Sequence, residues 1–390
     1  MVVDRWSRSA TVAVFFAHGL LFASWTAHIP QIKAQLGLTN GDLGLALLGA
    51  PLGSVSAMLV SARLLPHFGS KTMVRVCLLG YCAAGPFVGL VGSLPALFIA
   101  LFVWGAFQGA LDVSMNTQAV AVERARERPL MSGFHASWSI GTLSGAGIGA
   151  LGVAIGLSLT TQQVLLGVPA LVIAGWLTTR MLPDAVSRRE AHNRSRRVRR
   201  LSAPVLVLGA IAFASMLCEG ASADWASVYL RGAPLHTGAA VAGLGYAAFS
   251  LTMVIVRLSG NRLLVRFQPR SVLPVLAAIA TVGFTAGLLG DRTVSVIVGF
   301  ACLGVGLGLI VPTVFSAAGR LSGINPGMAI ATVSTCGWLG FVCGPPLIGQ
   351  LASLSSLSLA LGVVPVLTAG IVLATALTPA LRDDGPGPRR

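Results

Sequence analysis

Asp112 and Asn116 stand four residues apart in the apolar stretch QGALDVSMNTQAVAVE, which covers residues 108–123. On a helix, this spacing puts both side chains on one face, one turn apart. A charged side chain at bilayer depth costs roughly 2.5–3.5 kcal/mol on insertion scales, so it normally faces a cavity or a partner. A carboxylate that gains and loses a proton as its surroundings change is what proton coupling requires. The pair therefore predicts a proton-binding site within a membrane helix.

The composition excludes most soluble classes of protein. The chain has 390 residues, of which 55% are hydrophobic and 10% are charged, and its mean hydropathy is +0.82. A chain this apolar is typical of a polytopic membrane protein. Its net charge of +15 would suit nucleic acid, but the basic residues stand between apolar blocks without interleaved aromatic residues. We therefore expect contact with membrane lipids and none with nucleic acid.

Catalytic, cofactor and metal sites are not expected. The six cysteines all fall inside apolar blocks and form no CxxC pair, so packing suits them better than metal binding or disulfides. The sequence offers no metal-ligand cluster, no nucleophile–base set and no GxxxxGK[ST] nucleotide motif. These observations argue against an enzyme and against ATP-driven transport.

Twelve apolar stretches are long enough to cross a bilayer, which takes about 20 residues each. We predict helices near residues 10–32, 41–63, 73–91, 95–121, 131–157, 163–182, 203–230, 237–258, 271–290, 293–318, 327–352 and 357–378. The predicted fold is an all-α polytopic membrane protein. Its domains would be a six-helix bundle at 1–182, a linker at 183–202, a second six-helix bundle at 203–378 and a tail at 379–390.

The basic residues give this layout an orientation. An even number of spans puts both termini on one side, and only Lys33, Arg231 and Arg292 fall in connections on the other side. The linker at 183–202 carries seven arginines between residues 188 and 200. Because positively charged connections stay in the cytoplasm, we expect both termini to be cytoplasmic, in an inner membrane of bacterial type.

An internal repeat relates the two predicted bundles. Glycines match at a separation of 199 residues, and two pairs of tryptophans match at 200. The matched pairs include Trp25/Trp225, Trp138/Trp338, Gly44/Gly243, Gly105/Gly304, Gly109/Gly308, Gly141/Gly340 and Gly145/Gly344. Each half holds an even number of spans, so the halves share one orientation. Two pseudo-symmetric bundles of this kind predict transport by alternating access, with a binding site near the middle of the membrane.

The acidic residues depart from the repeat. The positions 199 residues after Asp112 and Asn116 hold Val311 and Phe315, although the neighbouring glycines are kept. A structural need shared by both bundles would be met twice. The asymmetry therefore favours a specialised role for Asp112.

Several segments resemble a known family. The loop ARLLPHFGSKTMVR at 62–75 resembles the loop between helices 2 and 3 of the major facilitator superfamily, and GNRLLVRFQPR at 260–270 keeps the basic residues of the equivalent loop. The segments GALDVSMNTQAVAVE, MSGFHASWSIG and EGASADWASVYL resemble a fucose-permease-like branch that includes many bacterial proteins of unassigned substrate. The resemblance implies the twelve-helix fold of that superfamily, and it places Asp112 and Asn116 in the proton-coupling region.

The start of the fifth predicted span supplies a possible partner for this pair. His135 and Ser139 lie in its first turns, and a short connection would place that span beside the fourth. An imidazole near a carboxylate is a plausible proton relay. The alternative is a static set of hydrogen bonds that braces the helices.

Two further acids fall inside the seventh predicted span. Glu219 is a candidate for substrate or proton binding, with packing as the alternative. Asp224 is a candidate for an outer gate, through Arg231 or His28, or for an interface. We identify no basic residue at mid-membrane depth, where one would mark an anionic substrate.

Aromatic and polar side chains complete the candidate site. The remaining candidates for binding a solute are Trp25, Gln108, Trp138, Trp225 and Trp338, because aromatic faces bind apolar rings and sugar faces alike. Packing between helices is the alternative for each tryptophan pair. The basic residues expected to help gating are Lys71, Arg266 and Arg270.

The sequence favours a proton-coupled secondary active transporter of a small organic solute, sugar-like or another metabolite. We expect it to act as a monomer, without a cofactor. Efflux of a drug or natural product by proton antiport is the alternative, since the mixed apolar and aromatic residues would suit it. A non-transporting membrane sensor on the same scaffold is a third possibility.

Overall fold

The computed structural model describes residues 5–126, 130–183, 203–232, 234–290, 292–321 and 326–381, and the regular structure within these ranges is helical throughout. The helices form two compact units. Most of the predicted linker and the predicted tail from residue 382 onward lie outside the described residues, so those domain boundaries stay predictions.

The first unit is built from the N-terminal helices. They are α1 (Arg5–Thr26), α2 (Ile29–Gln35), α3 (Asn40–Leu47), α4 (Gly49–Phe68), α5 (Ser70–Ala84), α6 (Leu94–Arg126), α7 (Met131–Ala154) and α8 (Leu159–Leu177). Within the unit, α7 packs mainly on α1, and α6 packs on α4 and α5.

The second unit is built from the remaining helices, except that residues Gly238–Leu244 belong to the first. They are α9 (Ala203–Arg231), α10 (Ala239–Arg266), α11 (Pro269–Leu289), α12 (Thr293–Leu307), α13 (Ile310–Arg320), α14 (Pro326–Leu354), α15 (Leu357–Leu361) and α16 (Val363–Leu377). Here α14 packs on α9, and α11 packs on α12 and α16.

Each of the twelve predicted spans coincides with helix, but several are interrupted. Breaks separate α3 from α4, α12 from α13 and α15 from α16, and each break lies just before a proline at the third position of the next helix: Pro51, Pro312 or Pro365. Proline has no backbone N–H to donate to the carbonyl four residues earlier, and its ring crowds that carbonyl. The prediction of one continuous helix at 10–32 was wrong for a related reason, since α1 ends at Thr26 and α2 begins with Pro30 in its first turn.

The connection between α6 and α7 is held by a carboxylate. The Oε2 atom of Glu123, in the last turns of α6, accepts hydrogen bonds from the backbone N–H groups of Leu130 (2.6 Å) and Met131 (2.8 Å). These groups have no partner within α7 because they precede its first complete turn. Glu123 therefore fixes where α7 begins.

Ten segments within the described residues are long and apolar enough to cross a membrane, counting helices separated by a short break as one segment. Of the twelve predicted spans, those formed by α7 and α14 are not among the ten. Both helices are rich in glycine and serine or threonine. They are also the helices that pack most closely on α1 and α9, so their small residues serve helix packing.

The repeat is visible in the packing inside each unit. In the first, a Cβ atom on Gly105 of α6 would collide with the carbonyl oxygen of Ala50 in α4. In the second, a Cβ atom on Gly304 of α12 would collide with the carbonyl oxygen of Phe249 in α10. Gly105 and Gly304 are 199 residues apart, and so are their contacts Ala50 and Phe249, which agrees with the sequence match.

The first helices of the two units follow a different separation. Gly141 of α7 meets the carbonyl of Phe16 in α1, whereas Gly340 of α14 meets the carbonyl of Phe213 in α9. These contacts make residues of α1 and α9 equivalent when they are 197 positions apart, whereas Trp25 and Trp225 are 200 positions apart. The tryptophans matched on these two helices are therefore three residues out of register, and the packing does not make them equivalent.

Prediction: Gly145→Ala lowers the stability of the first unit. The new Cβ atom would collide with the carbonyl oxygen of Leu20 in α1, which as backbone cannot turn aside. Overpacking of this kind costs about 1–3 kcal/mol. Gly147→Ala on the same helix is the matched control, since no atom lies within 4 Å of its added Cβ. The melting temperature of the purified protein measures both, and an equal effect of the two variants would contradict the close contact between α1 and α7.

Candidate functional site

A polar face runs along α6. Gln108, Asp112 and Asn116 follow one another at four-residue intervals, inside the apolar segment Leu94–Glu123, and all three side chains are half-buried. The Nδ2 atom of Asn116 donates to the backbone carbonyl of Asp112 (2.8 Å) and to its Oδ1 atom (3.2 Å). The predicted pairing of Asp112 with Asn116 is therefore present as a direct contact.

Among the residues that the structure describes, no basic side chain neutralises Asp112. No ion pair joins it to any residue in the part of the chain that the structure describes. Its contact with Asn116 is compatible with both protonation states, because the amide donates to a carboxylate oxygen or to the carbonyl oxygen of a carboxylic acid. A carboxyl group in this setting can exchange a proton without breaking an ion pair.

His135 lies on a helix that scarcely touches α6, which departs from the expected arrangement. Because the glycine face of α7 packs on α1, the imidazole of His135 stands edge-on to Phe15 of α1, with ring centroids 5.5 Å apart and an interplanar angle of 79°. Ser139 Oγ donates to the backbone carbonyl of His135 (3.1 Å). A relay between His135 and Asp112 stays a prediction.

A second histidine, His18 of α1, was missed by the sequence reasoning. Its Nδ1 atom accepts a hydrogen bond from Trp138 Nε1 (2.8 Å), so the neutral ring carries its proton on Nε2. Among the described residues, the buried Nε2 atom has no hydrogen-bond partner by geometric criteria, and the backbone of Gln108 lies near the ring. The signal was available, since an ionisable residue inside a predicted span is by itself a candidate for function.

His18 also joins a chain of stacked rings inside the first unit. It stacks on Tyr81 (centroids 5.5 Å apart), Tyr81 stacks on Trp104 (5.2 Å), and Trp104 meets the edge of Trp25 (6.3 Å). Trp25 is buried in this chain. Its contacts are those of a packed residue, and its role in binding a solute stays a prediction.

The other predicted tryptophans differ in their surroundings. Trp138 is half-buried and bound to His18, as described above. Trp338 is half-buried, with its ring 5.5 Å from that of Phe341 on the same helix. Trp225 is fully buried, and its Nε1 atom has no hydrogen-bond partner among the described residues. Trp138 and Trp338 are therefore the more accessible pair.

The second unit contains an ion pair between α9 and α10. Arg257 of α10, inside the apolar segment Ala239–Gly260, places its Nη2 atom 3.8 Å from Glu219 Oε2. Its Nε atom donates to the backbone carbonyl of Gly308 (3.3 Å). Arg257 lies three residues before the end of this segment, so the expectation of no basic residue at mid-membrane depth stays a prediction.

Two more polar groups lie beside this pair. The hydroxyl of Tyr246 interacts electrostatically with Glu219, Asp224 and Arg257, and it is hydrogen-bonded to Ser250 one turn along α10. Asp224 is half-buried, and no hydrogen bond or ion pair joins it to another described residue. Glu219, Asp224, Tyr246 and Arg257 form one group, which we call the α9–α10 cluster.

The basic residues predicted to gate are held at helix ends. Lys71 Nζ donates to the carbonyls of Thr179 (2.8 Å) and Met181 (3.1 Å), just beyond the end of α8. The Arg266 guanidinium lies over the ring of Phe267 at 5.7 Å, and Arg270 is exposed in the first turn of α11. The contacts of Lys71 are those of a helix cap. Gating by these residues stays a prediction.

The residues proposed as partners of Asp224 are also engaged. Arg231 Nη1 donates to the backbone carbonyl of Thr237 (3.2 Å). Burial lowers the pKa of His28 below its ordinary value of 6.5, although hydrogen bonding to Gln162 and Gln31 opposes this. His28 is therefore neutral at neutral pH and offers no positive charge to a carboxylate.

The chain matches the sequence profile of the Major Facilitator Superfamily over residues 10–323. An uncharacterised transporter of this superfamily from Yersinia pestis is 33% identical over 361 residues, which cover 92% of each chain.

Solved structures show the same fold at low sequence identity. A D-xylose–proton symporter matches with a TM-score of 0.72 and 12% identity, covering 95% of this chain and 97% of its own. FucP, a transporter of the superfamily solved in its outward conformation, matches with a TM-score of 0.61 and 16% identity, covering 94% of this chain and 97% of its own.

Three observations lead to one conclusion: the two units of packed apolar helices, the relative that matches almost the whole chain, and the family profile. The chain belongs to the Major Facilitator Superfamily, with its twelve-helix fold, and is a multi-pass membrane transporter and not an enzyme.

Proposed function

We propose that this transporter is proton-coupled and carries a small organic solute, sugar-like or another metabolite, by alternating access. The observation that supports this most is the setting of Asp112, a carboxyl group inside an apolar segment with an amide partner and no basic partner among the described residues. A permanently charged carboxylate would be costly there. A carboxyl group that is neutral while it is enclosed, and charged only when it faces water, avoids most of that cost.

The polar groups in both units favour a polar solute. Gln108 and Asn116 on α6, and the charged and hydroxyl groups of the α9–α10 cluster, offer hydrogen bonds to hydroxyl-bearing molecules. One solved relative of the same fold is described as a symporter of D-xylose and protons. We therefore rank a polar metabolite before an apolar drug, and the assay below includes the export direction.

We also propose an inner membrane with both termini in the cytoplasm. This rests on the distribution of basic residues, above all the seven arginines between residues 188 and 200. A cysteine introduced at residue 390 would be labelled by an impermeant thiol reagent only after cell disruption. Labelling of intact cells would contradict the orientation.

Prediction: Asp112→Asn abolishes accumulation driven by a proton gradient but leaves solute exchange intact. The amide cannot take up a proton, yet it keeps the size of the side chain and can still pair with Asn116. Proteoliposomes would be screened with radiolabelled sugars, nucleosides and sugar acids, under a pH gradient of either direction. Counterflow exchange, which needs no net movement of protons, would report on folding and binding.

The matched control for this variant is Asp42→Asn. Asp42 accepts hydrogen bonds from the N–H and hydroxyl of Thr39 at the start of α3, and its side chain is partly exposed. The control should accumulate solute like the parent. Gradient-driven accumulation by Asp112→Asn at the parental level would refute the assignment of Asp112. Absence of solute-dependent flux in either direction in the parent protein would instead favour a sensor.

Prediction: if His135 relays protons, His135→Gln slows gradient-driven uptake by about tenfold or more, as expected for loss of a positioned acid–base group, without slowing counterflow. Its imidazole contacts Phe15 at the start of α7, so a bracing role would instead change both assays together. Equal losses in uptake and counterflow would reject the relay.

A further inference from the structure

Two arginines of the first unit lie at the end where α5 begins and α8 finishes. Arg75 is in the second turn of α5, and its Nε atom donates to Thr178 Oγ1 at 3.0 Å. Thr178 opens the short 3-10 turn that follows α8, and Arg180 closes it. Both arginines are exposed. The transport function proposed above uses neither of them.

The helix packing at this end does not require positive charge. The second unit also ends its last long helix, α16, with a 3-10 turn, Pro379–Leu381. The positions 199 residues after Arg75 and Arg180 hold Pro274 and Pro379, which carry no charge. The same turn is therefore formed without cations in the second unit, so the two arginines of the first unit need another explanation.

No described carboxylate of the first unit balances these charges. The described part of that unit contains three acids: Asp42 caps α3, Asp112 pairs with an amide on α6, and Glu123 holds the start of α7. Neither Arg75 nor Arg180 forms an ion pair with a described residue, and the hydrogen bonds of Arg75 within the described residues use only its Nε atom. Its two terminal nitrogens therefore keep their donors for another acceptor.

The arginines stand at the end of an exposed apolar surface. A Cβ atom added to Gly167 of α8 would lie 3.5 Å from the carbonyl oxygen of Cys82 in α5, so α5 and α8 run antiparallel between this contact and that of Arg75 with Thr178. Over this length, both helices carry large apolar side chains that are more than half exposed: Val76, Leu79, Val172, Ile173 and Trp176. In a membrane, such side chains meet acyl chains, and a tryptophan at the end of a span is typical of the membrane–water interface.

We propose that Arg75 and Arg180 bind the phosphate of an anionic phospholipid of the phosphatidylglycerol type, whose acyl chains lie along the exposed side chains of α5 and α8. Guanidinium groups match phosphate geometry and donate paired, charge-assisted hydrogen bonds to its oxygens. A long arginine side chain near the end of a span reaches the headgroup level while its methylenes stay among apolar groups. This site is independent of the transport function proposed above.

The charge and the apolar surface together select this class of lipid. A zwitterionic lipid such as phosphatidylethanolamine brings an ammonium group, and the described residues at this end provide no carboxylate to receive it. A soluble phosphate would use the arginines but not the apolar side chains beside them. An anionic phospholipid uses both, because basic residues at the membrane surface attract anionic headgroups.

The test is lipid binding by the purified full-length protein in an uncharged detergent. Phosphatidylglycerol and phosphatidylethanolamine with identical acyl chains would be titrated separately, and native mass spectrometry would count the bound lipid. We expect phosphatidylglycerol to bind more tightly by about tenfold or more, from the attraction of two basic residues. Equal affinity for the two lipids would overturn the proposal. Displacement of phosphatidylglycerol by an equal concentration of glycerol 3-phosphate would also overturn it, since the site would then bind a soluble anion.

A double variant tests whether the two arginines cause the preference. Arg75→Gln combined with Arg180→Gln should bind the two lipids alike. The control is Arg292→Gln, at an exposed arginine before α12 in the second unit, and it should keep the parental preference. A parental preference for phosphatidylglycerol in the double variant would overturn the proposal, as would its loss in the control alone.

Two single variants separate lipid binding from a structural role in the turn. Thr178→Val removes the hydrogen bond to Arg75 but keeps both charges, so it should keep the preference for phosphatidylglycerol. Arg180→Gln removes a charge that makes no described contact, so it should melt like the parent in detergent alone and bind phosphatidylglycerol severalfold more weakly. Loss of the preference in Thr178→Val with unchanged binding in Arg180→Gln would assign Arg75 to the turn and overturn the proposal.

Discussion

An ionisable group inside an apolar helix must either meet an opposite charge or be able to lose its own, and the arrangement of this protein follows from that constraint. The two units meet it differently. On α6, Asp112 has an amide partner and no basic one among the described residues, which suits a group that changes its charge. On α9 and α10, Glu219 has an opposite charge beside it, the guanidinium of Arg257 at 3.8 Å. Both arrangements need helices held in fixed register.

The register comes from small residues. Gly141 and Gly145 bring α7 against α1, and Gly340 brings α14 against α9, so closely that a methyl group would collide with backbone carbonyls. The close glycine contacts occur in both units, whereas each charged group occurs in only one of them. Asp112 corresponds to Val311, 199 residues later, and Arg257 to Met58, 199 residues earlier. The repeat therefore accounts for the helix packing, and the positions that depart from the repeat are the candidates for function.

Hydropathy identifies ten of the twelve spans within the described residues, because length and apolarity are what a bilayer demands of a helix. Hydropathy does not predict the helix breaks before Pro51, Pro312 and Pro365, because a single proline leaves the surrounding stretch apolar. Which helices pack against each other is harder still to predict from the sequence. The short connection after α6 suggested that α7 lies against it, but the glycine face of α7 packs on α1 and carries His135 with it. Which charges meet depends on such packing, so the pairing of Arg257 with Glu219 could not be derived from the sequence.

In the proposed mechanism, movement of the solute is coupled to movement of a proton. The most direct measurement adds a transported solute to proteoliposomes without any imposed gradient and follows external pH with a dye in weak buffer. Proton symport predicts that the outside becomes more alkaline as the solute enters, and proton antiport predicts that it becomes more acidic. Entry of the solute down its own gradient without any change in pH, in a protein with Asp112 intact, would contradict the account.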